Sequence, residues 1–184
     1  LGFQQGVSCP NVFHYVGRQI HTSVHGDDFI FEGGKLSLDW FEAEMAKKYG
    51  VIVSPRLGPG PDDAKEGACL NRVIRWCEGR FEYEADPRQA EELASECGLE
   101  GAKGVATPGV TSSFHELEED KPLETRLNIA FRGSAARANY LAADRLDAQF
   151  ACNEVCRWMS TPSWRAWQAL KRICRFLQGL PRLV

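Results

Sequence analysis

The chain has 184 residues, a formal net charge of −3, 43% hydrophobic side chains and 26% charged ones. That length can bury a core in one domain or one and a half, and the composition is that of an ordinary globular protein. No apolar run approaches the roughly 18 residues of a membrane span, and no signal peptide opens the chain, so we expect no membrane partner. Because the chain begins with Leu-Gly and not Met, we expect a piece of a longer protein or a processed product.

The charge is divided unevenly along the chain. Residues 1–122 hold 12 Lys/Arg and 21 Asp/Glu, a net charge of −9, whereas residues 123–184 hold 10 and 4, a net charge of +6. The overall acidity argues weakly against nucleic acid, but the basic part is mostly Arg, which suits bidentate contacts to phosphate. A solvated helix face remains the simpler explanation for most of these arginines.

The seven cysteines form no CxxC pair and no Cys/His spacing typical of zinc. We interpret them as buried thiols in a reducing compartment. They are Cys9, Cys69, Cys77, Cys97, Cys152, Cys156 and Cys174.

The first elements of the chain are predicted to be strands. Apolar and β-branched residues indicate strands over residues 11–15, 19–25 and 28–31. In the second strand Ile20, Thr22 and Val24 share one face. Gly26-Asp27 is typical of a turn.

A helix follows, predicted from a cap at Ser37 to Gly50. Its apolar stripe consists of Leu38, Phe41, Met45 and Tyr49. A Pro/Gly-rich loop over residues 54–67 comes next. Its Asp62-Asp63 pair has no flanking strand, so we interpret it as surface loop.

The sequence ACLNRVIRWC, residues 68–77, and the following RFEYEA predict a second hairpin with its turn at Glu78-Gly79. The alternating apolar residues are Leu70, Ile74 and Trp76 on one arm and Phe81 and Tyr83 on the other. Asp86 followed by Pro87 predicts the start of a helix that Gly98 ends. Its buried face consists of Ala90, Leu93, Ala94 and Cys97.

Residues 99–125 are irregular and acidic, with the run Glu116 to Asp120, and are predicted to be a linker. Three helices are predicted after it, over residues 128–142, 147–159 and 163–178. Asp147 is the predicted cap of the second. The predicted inward residues of the last two are Ala151, Val155, Trp158, Trp164, Trp167, Leu170, Cys174 and Leu177. This order of elements predicts an α+β fold.

Asp27 and Asp28 are two like charges side by side at the first turn. An ordinary hairpin explains them, since Gly and Asp are routine turn residues. A metal site explains them too, because paired carboxylates at a tight turn can hold divalent cations. The two readings stay open on the residues alone.

Several separated stretches, in order, resemble one family: the reverse transcriptase of copia-type retrotransposon polyproteins, in its C-terminal half. Val24-His25-Gly26-Asp27-Asp28 resembles the catalytic turn, although His25-Gly26 replaces the usual pair before the aspartates. The other matching stretches are Leu1-Gly2-Phe3, Pro10-Asn11-Val12-Phe13, residues 37–51, residues 69–86, Thr107-Pro108, residues 137–147, residues 158–162 and residues 170–179.

The resemblance implies a partial polymerase palm with the Asp-Asp turn over residues 1–67 and a primer-gripping hairpin and helix over residues 68–98. It further implies a linker over residues 99–127 and a helical thumb or connection region over residues 128–184, leading to ribonuclease H. Replication in cytoplasmic particles and action on nuclear DNA, with DNA integration, are implied as well.

The resemblance also implies nucleotidyl transfer with two Mg²⁺ ions, or Mn²⁺ in their place, held by Asp27 and Asp28. The implied partners are an RNA or DNA template with its primer, deoxynucleotide triphosphates and the rest of the Pol polyprotein. A third carboxylate would come from an earlier palm strand, since none of the 26 residues before Asp27 is Asp or Glu. The isolated chain is therefore expected to be inactive. The residues implied to bind nucleic acid are Asn71, Arg72, Arg75, Trp76, Lys171, Arg172 and Arg175.

Two other readings remain. A decayed or domesticated remnant would bind nucleic acid or a protein partner without catalysis. An unrelated metal-dependent nuclease is less favoured, because few further ligands lie near the turn: Glu32, Asp39, Glu42 and Glu44.

Overall fold

The computed structural model describes residues 1–110 and 120–181. The chain divides into two compact units, Leu1–Arg56 and Leu57–Val184. Both contain antiparallel sheet and helix, so the fold is α+β as predicted. Most of the predicted acidic run from Glu116 to Asp120 lies outside the described residues. Among the helices of the described part, none is long and apolar enough to cross a membrane.

The first unit is a four-stranded antiparallel sheet followed by one helix. The strands are β1 (Gln4–Gln5), β2 (Val12–Tyr15), β3 (Ile20–His25) and β4 (Asp28–Glu32), and they neighbour one another in that order. Helix α1 (Lys35–Ala46) follows β4. The predicted alternation in β3 is confirmed, because Ile20 and Thr22 are buried and Val24 is half-buried, while the alternating residues His21, Ser23 and His25 are exposed.

Helix α1 packs on the face of the sheet that carries Ile20 and Thr22. Phe41 is the buried residue of α1. Its ring centroid lies 4.3 Å from that of Phe31, which is opposite Thr22 in the β3–β4 ladder. Trp40 stacks on Tyr15 at 5.5 Å. The residues that alternate with Ile20 and Thr22 along β3 therefore lie on the opposite face of the sheet.

Two details of the predicted helix were wrong. Helix α1 begins at Lys35, and the capping position is Gly34, not Ser37. The helix ends at Ala46, so Tyr49 lies beyond it and is exposed. Gly34 has an extended backbone and forms no side-chain hydrogen bond to the helix. No polar capping residue therefore marks this helix start in the sequence.

The second unit opens with a three-stranded antiparallel sheet of β5 (Glu66–Cys69), β6 (Arg72–Cys77) and β7 (Arg80–Glu84). The predicted hairpin about Glu78-Gly79 is confirmed, and in it Trp76 is opposite Phe81 and Ile74 is opposite Tyr83. The single arm predicted over residues 68–77 was wrong. Leu70 and Asn71 have φ of 49° and 67° and form a tight turn that separates β5 from β6. Because β5 begins at Glu66, the end of the predicted loop over residues 54–67 is strand.

In the described part of the second unit, four helices build the main core: α2 (Pro87–Glu96), α3 (Thr125–Ala142), α4 (Leu146–Cys156) and α5 (Trp164–Gly179). The start of α2 is as predicted, with Asp86 accepting a hydrogen bond from the Arg88 amide at 3.1 Å. Phe131, Leu170 and Ile173 are fully buried where the helices meet. Cys97, Cys152 and Cys174 are buried thiols as predicted, whereas Cys9 is exposed and Cys69, Cys77 and Cys156 are half-buried.

Three predictions about α4 and α5 were wrong. Asp147 is not the cap of α4; it lies in the first turn and pairs with Arg145 at 2.8 Å. Trp158 follows the end of α4, and Trp164 is the first residue of α5, where a helix end leaves one side of the ring uncovered. Trp158 is 37% exposed and Trp164 is 40% exposed, so neither is a core residue.

Candidate functional site

The Asp27-Asp28 pair lies at the tip of the β3–β4 hairpin. His25 is opposite Asp28 in the ladder, which leaves Gly26 and Asp27 as a two-residue turn. Gly26 has a φ of +60° and Asp27 does not have a positive φ, the pattern of a type II′ turn. Glycine is needed here because an L side chain rarely adopts that backbone conformation. The ladder of β3 and β4 thus fixes the backbone that carries both aspartates.

Both aspartates are exposed, and Asp28 belongs to the sheet face away from α1. Side chains alternate along a strand, so Asp28 and His25 share the face of Ser23 and His21, opposite to that of Ile20 and Thr22. Asp27 lies in the turn itself. Neither carboxylate forms an ion pair or hydrogen bond with another side chain in the described part of the molecule.

The donors at this tip suit Mg²⁺ only in part. Mg²⁺ prefers oxygen ligands and keeps several waters, so two accessible carboxylates can supply its protein ligands on one side. In residues 1–110 and 120–181 no group of three His, Cys, Asp or Glu side chains is arranged to hold a metal. Within the described residues, the two aspartates of the turn therefore do not form a complete metal site by themselves.

A histidine pair on the same open sheet face was missed in the sequence. His14 and His21 are neighbours across β2 and β3, and their rings stack with centroids 4.2 Å apart. Glu32 is opposite His21 on β4. These three residues line an open cavity of about 550 Å³. The strand register was the missing information, because the three residues lie on three different strands.

The predicted primer-gripping residue Arg72 is engaged by the protein itself. Its Nε donates to Asp144 Oδ2 at 3.0 Å, and Tyr83 Oη donates to Asp144 Oδ1 at 2.7 Å. Burial would lower the pKa of Arg72, but the hydrogen bond and charge of Asp144 outweigh it and raise that pKa. Burial, followed by the neighbouring Asp144, raises the pKa of Tyr83. Asp144 thereby ties the second sheet to the end of α3.

The other predicted residues of this hairpin lie close by. Arg75 forms ion pairs with Glu66 and Glu84 on the neighbouring strands, and its hydrogen bond to Glu84 leads the interactions that raise its pKa. Trp76 packs edge-on against Phe81 at 4.9 Å. Asn71 is exposed in the β5–β6 turn. The charges of Arg72 and Arg75 are thus already compensated within the second unit.

Lys171, Arg172 and Arg175 lie together on α5 and border a second cavity, of about 1300 Å³. Arg172 donates to Thr107 Oγ1 at 2.8 Å, and Arg175 donates to the Lys103 carbonyl at 2.9 Å. Lys171 Nζ lies 5.5 Å from the centre of the Trp167 ring. In contrast to Arg72 and Arg75, none of the three forms an ion pair within the described residues.

Curated proteins with similar sequences come from one kind of genetic element. The chain is 34% identical over 188 residues to the retrovirus-related Pol polyprotein from transposon RE2 of Arabidopsis thaliana, an alignment covering 98% of this chain and 12% of that polyprotein. It is 33% identical over 90 residues to the Pol polyprotein from transposon RE1, covering 49% of the chain and 6% of the relative. An uncharacterized mitochondrial protein of the same plant is 27% identical over 95 residues, covering 50% of this chain and 37% of that protein.

The α+β chain with its Asp-Asp hairpin is therefore homologous to a segment of a retrotransposon Pol polyprotein. The polyproteins concerned are those of copia-type elements, as the resemblance implied. The chain spans only a small fraction of their length. No protein-family model and no solved structure matches the chain.

Proposed function

We propose that the chain is the part of a copia-type reverse transcriptase that presents the metal-binding aspartates to the primer end. The observation that carries the proposal is the β3–β4 hairpin, whose tip holds Asp27 and Asp28 exposed on a glycine turn. Homology to Pol polyproteins along 98% of the chain supports it. The reaction would be attack of a primer 3′ hydroxyl on the α-phosphate of a deoxynucleotide triphosphate, with release of pyrophosphate.

Asp27 and Asp28 would hold the cations, with Asp27 as the main ligand. Bound Mg²⁺ would supply positive charge at the phosphates and favour ionisation of the attacking hydroxyl. The contribution of this chain to cation binding would be to position the ligands, since the β3–β4 ladder fixes two carboxylates at one exposed point. Adjacent carboxylates repel, so a cation that relieves the repulsion is bound more favourably than by either residue alone.

The remaining machinery would come from other parts of the polyprotein. We propose that a further carboxylate and the nucleotide-binding residues lie outside this chain, and that the 184 residues alone do not polymerise. Template, primer and nucleotides would meet the hairpin only in the assembled enzyme. Replication in cytoplasmic particles, with nuclear DNA as the target, would follow from this assignment.

The experiment is a chimaera in which this chain replaces the matching segment of the transposon RE2 polyprotein. We expect Mg²⁺-dependent primer extension, lost in Asp27→Asn and strongly reduced in Asp28→Asn. Asp62→Asn is the matched control, because Asp62 is an exposed aspartate of the loop after Arg56. Polymerisation that survives both substitutions at the hairpin would contradict the proposal.

The second candidate function is a non-catalytic remnant. The ion pairs of Arg72 with Asp144 and of Arg75 with Glu66 and Glu84 favour it, because they engage the arginines that a primer grip would use. A chimaera that folds and binds template–primer but extends nothing, with or without the substitutions, would support this candidate.

A further inference from the structure

Two buried cysteines of the second unit lie with their sulfurs in contact. Cys97 follows the last residue of α2, and Cys174 lies within α5. The Cys174 thiol donates a hydrogen bond to Cys97 Sγ at 3.4 Å, although the two residues are 77 positions apart in the sequence. Cys97 is 4% exposed and Cys174 is 1% exposed. The polymerase proposal gives neither residue a role.

The backbone around the pair is held in place by the fold. Helices α2 and α5 pack against each other, and the chain after Cys97 runs along α5. Gln178 Nε2 donates to the Leu99 carbonyl at 2.7 Å, and Arg175 Nε donates to the Lys103 carbonyl at 2.9 Å. The sulfurs of a disulfide are about 2.05 Å apart, so a small rotation of the two side chains would close the remaining gap.

The two thiols differ in acidity. The hydrogen bond from Cys174 outweighs burial and lowers the pKa of Cys97. The same hydrogen bond, together with burial, raises the pKa of Cys174. A thiolate is the form of cysteine that attacks an oxidant, and a neighbouring thiol can then resolve the oxidised sulfur. The pair therefore combines an attacking cysteine, Cys97, with a resolving cysteine, Cys174.

The position of Cys97 favours access of a small oxidant. It lies between the last residue of α2 and Gly98, whose φ of +64° ends the helix. Helix ends open at a lower cost in free energy than helix centres do. Cys152, in contrast, lies inside α4, and burial raises its pKa to about 12. We therefore expect Cys152 to react far more slowly than Cys97.

We propose that Cys97 and Cys174 form a reversible disulfide when the protein meets hydrogen peroxide, and that this bond locks α2 onto α5. Cys97 Sγ attacks a peroxide oxygen, the O–O bond breaks, and Cys97 becomes a sulfenic acid. Cys174 Sγ then attacks the sulfenic sulfur, the S–O bond breaks, and the Cys174 proton leaves with the hydroxide as water. The two thiols are oxidised, and the peroxide is reduced to two waters.

The disulfide would close a long loop of the second unit. Because a cross-link between residues far apart in sequence restricts the unfolded chain, it stabilises the folded one. Dithiothreitol would reverse the step by thiol–disulfide exchange. The proposal goes beyond the polymerase assignment, because it requires neither the hairpin aspartates nor nucleic acid.

The experiment oxidises the full 184-residue chain with hydrogen peroxide, blocks the remaining thiols with N-ethylmaleimide and maps the tryptic peptides by mass spectrometry. Cys97 and Cys174 fall in separate peptides, residues 89–103 and 173–175, whereas Cys152 and Cys156 share residues 146–157. We expect peptides 89–103 and 173–175 to be joined before any other pair and to separate again after dithiothreitol. The thermal unfolding midpoint of the oxidised chain should rise by about 5–10 °C.

The first control needs no substitution. When the same oxidation is carried out in urea, proximity along the sequence decides the pairing, because closing a shorter loop costs less entropy. Cysteines that are close in sequence, such as Cys152 and Cys156, should then join first. A native chain that joins Cys97 to Cys174 does so because the fold places them together.

Two substitutions separate the steps of the reaction. Cys174→Ser should abolish the cross-link and leave Cys97 as a sulfenic acid, which dimedone labels. Cys156→Ser is the matched control, because the Cys156 thiol donates to the Ala135 carbonyl at 3.4 Å and takes no part in the proposed bond. This variant should form the cross-link as the unchanged protein does.

Three outcomes would overturn the proposal: no joined peptides from the native chain, the same order of pairing in the native chain and in urea, or an oxidised chain whose unfolding midpoint is no higher than that of the reduced chain. Failure here is distinguishable from failure of the polymerase proposal, because the latter is read from Asp27 and Asp28 in the other unit.

Discussion

The β3–β4 and β6–β7 hairpins differ in how their charged side chains are partnered. At the β3–β4 tip, Asp27 and Asp28 stand exposed, without a side-chain partner in the described residues. In the β6–β7 hairpin, Arg72 is bound to Asp144, which Tyr83 also contacts. A charge that the protein has already neutralised is part of the fold, whereas one left exposed at a fixed turn is available to a ligand. The same contrast separates Arg72 and Arg75, which form ion pairs, from Arg172 and Arg175 on α5, which form none within the described residues.

The largest effect on stability is expected from Asp144→Ala. The side chains of Asp144 and Arg72 are only 10% and 19% exposed, so removing the acid leaves a poorly solvated guanidinium and an unpaired Tyr83 hydroxyl. We expect a loss of about 2–3 kcal/mol in the free energy of unfolding, measured by urea denaturation.

Glu154→Ala is the matched control, because it removes an exposed partner of Arg157 and should leave the unfolding midpoint unchanged. A loss no greater than that of Glu154→Ala would mean that Arg72 is free to serve a ligand, and the contrast between the hairpins would fail.

A smaller effect is expected from Gly26→Ala. At φ of +60° an alanine is strained although nothing lies within 4 Å of its Cβ, so we expect a cost of about 1–2 kcal/mol. Native-state hydrogen exchange of the β3–β4 amides measures it. Gly50→Ala is the control, since Gly50 also has open space but no positive φ. Equal exchange in both variants would show that the hairpin does not hold the turn rigidly.

Local patterns in the sequence predicted much of this fold, but they could not predict which residues distant in sequence contact each other. The alternation of Ile20 and Thr22 and the hairpin that joins the strands of Trp76 and Phe81 follow from neighbours in sequence, so they could be predicted. The turn at Leu70-Asn71 could not, because leucine is not a residue that signals a left-handed backbone.

The candidate site residues show the same difference between local and long-range information. The Asp27-Asp28 turn was visible in the sequence because everything that shapes it is local. The binding of Arg72 to Asp144 joins residues 72 positions apart, and only the folded chain brings them together. The exposure of Trp164 was missed since its spacing on α5 resembles that of a core residue, while the first position of a helix has fewer neighbours.

The most direct test of the central claim is Mn²⁺ binding to the isolated chain, followed by paramagnetic broadening of its amide NMR signals. The exposed carboxylates of the hairpin predict selective broadening around residues 25–29 at low Mn²⁺, lost in Asp27→Asn and Asp28→Asn without a change in the unfolding midpoint. Asp62→Asn should leave the broadening intact. If Mn²⁺ broadens the loop of Asp62 and Asp63 as strongly as the hairpin, or broadens the hairpin equally in Asp27→Asn, the turn is an ordinary hairpin loop and not a metal site.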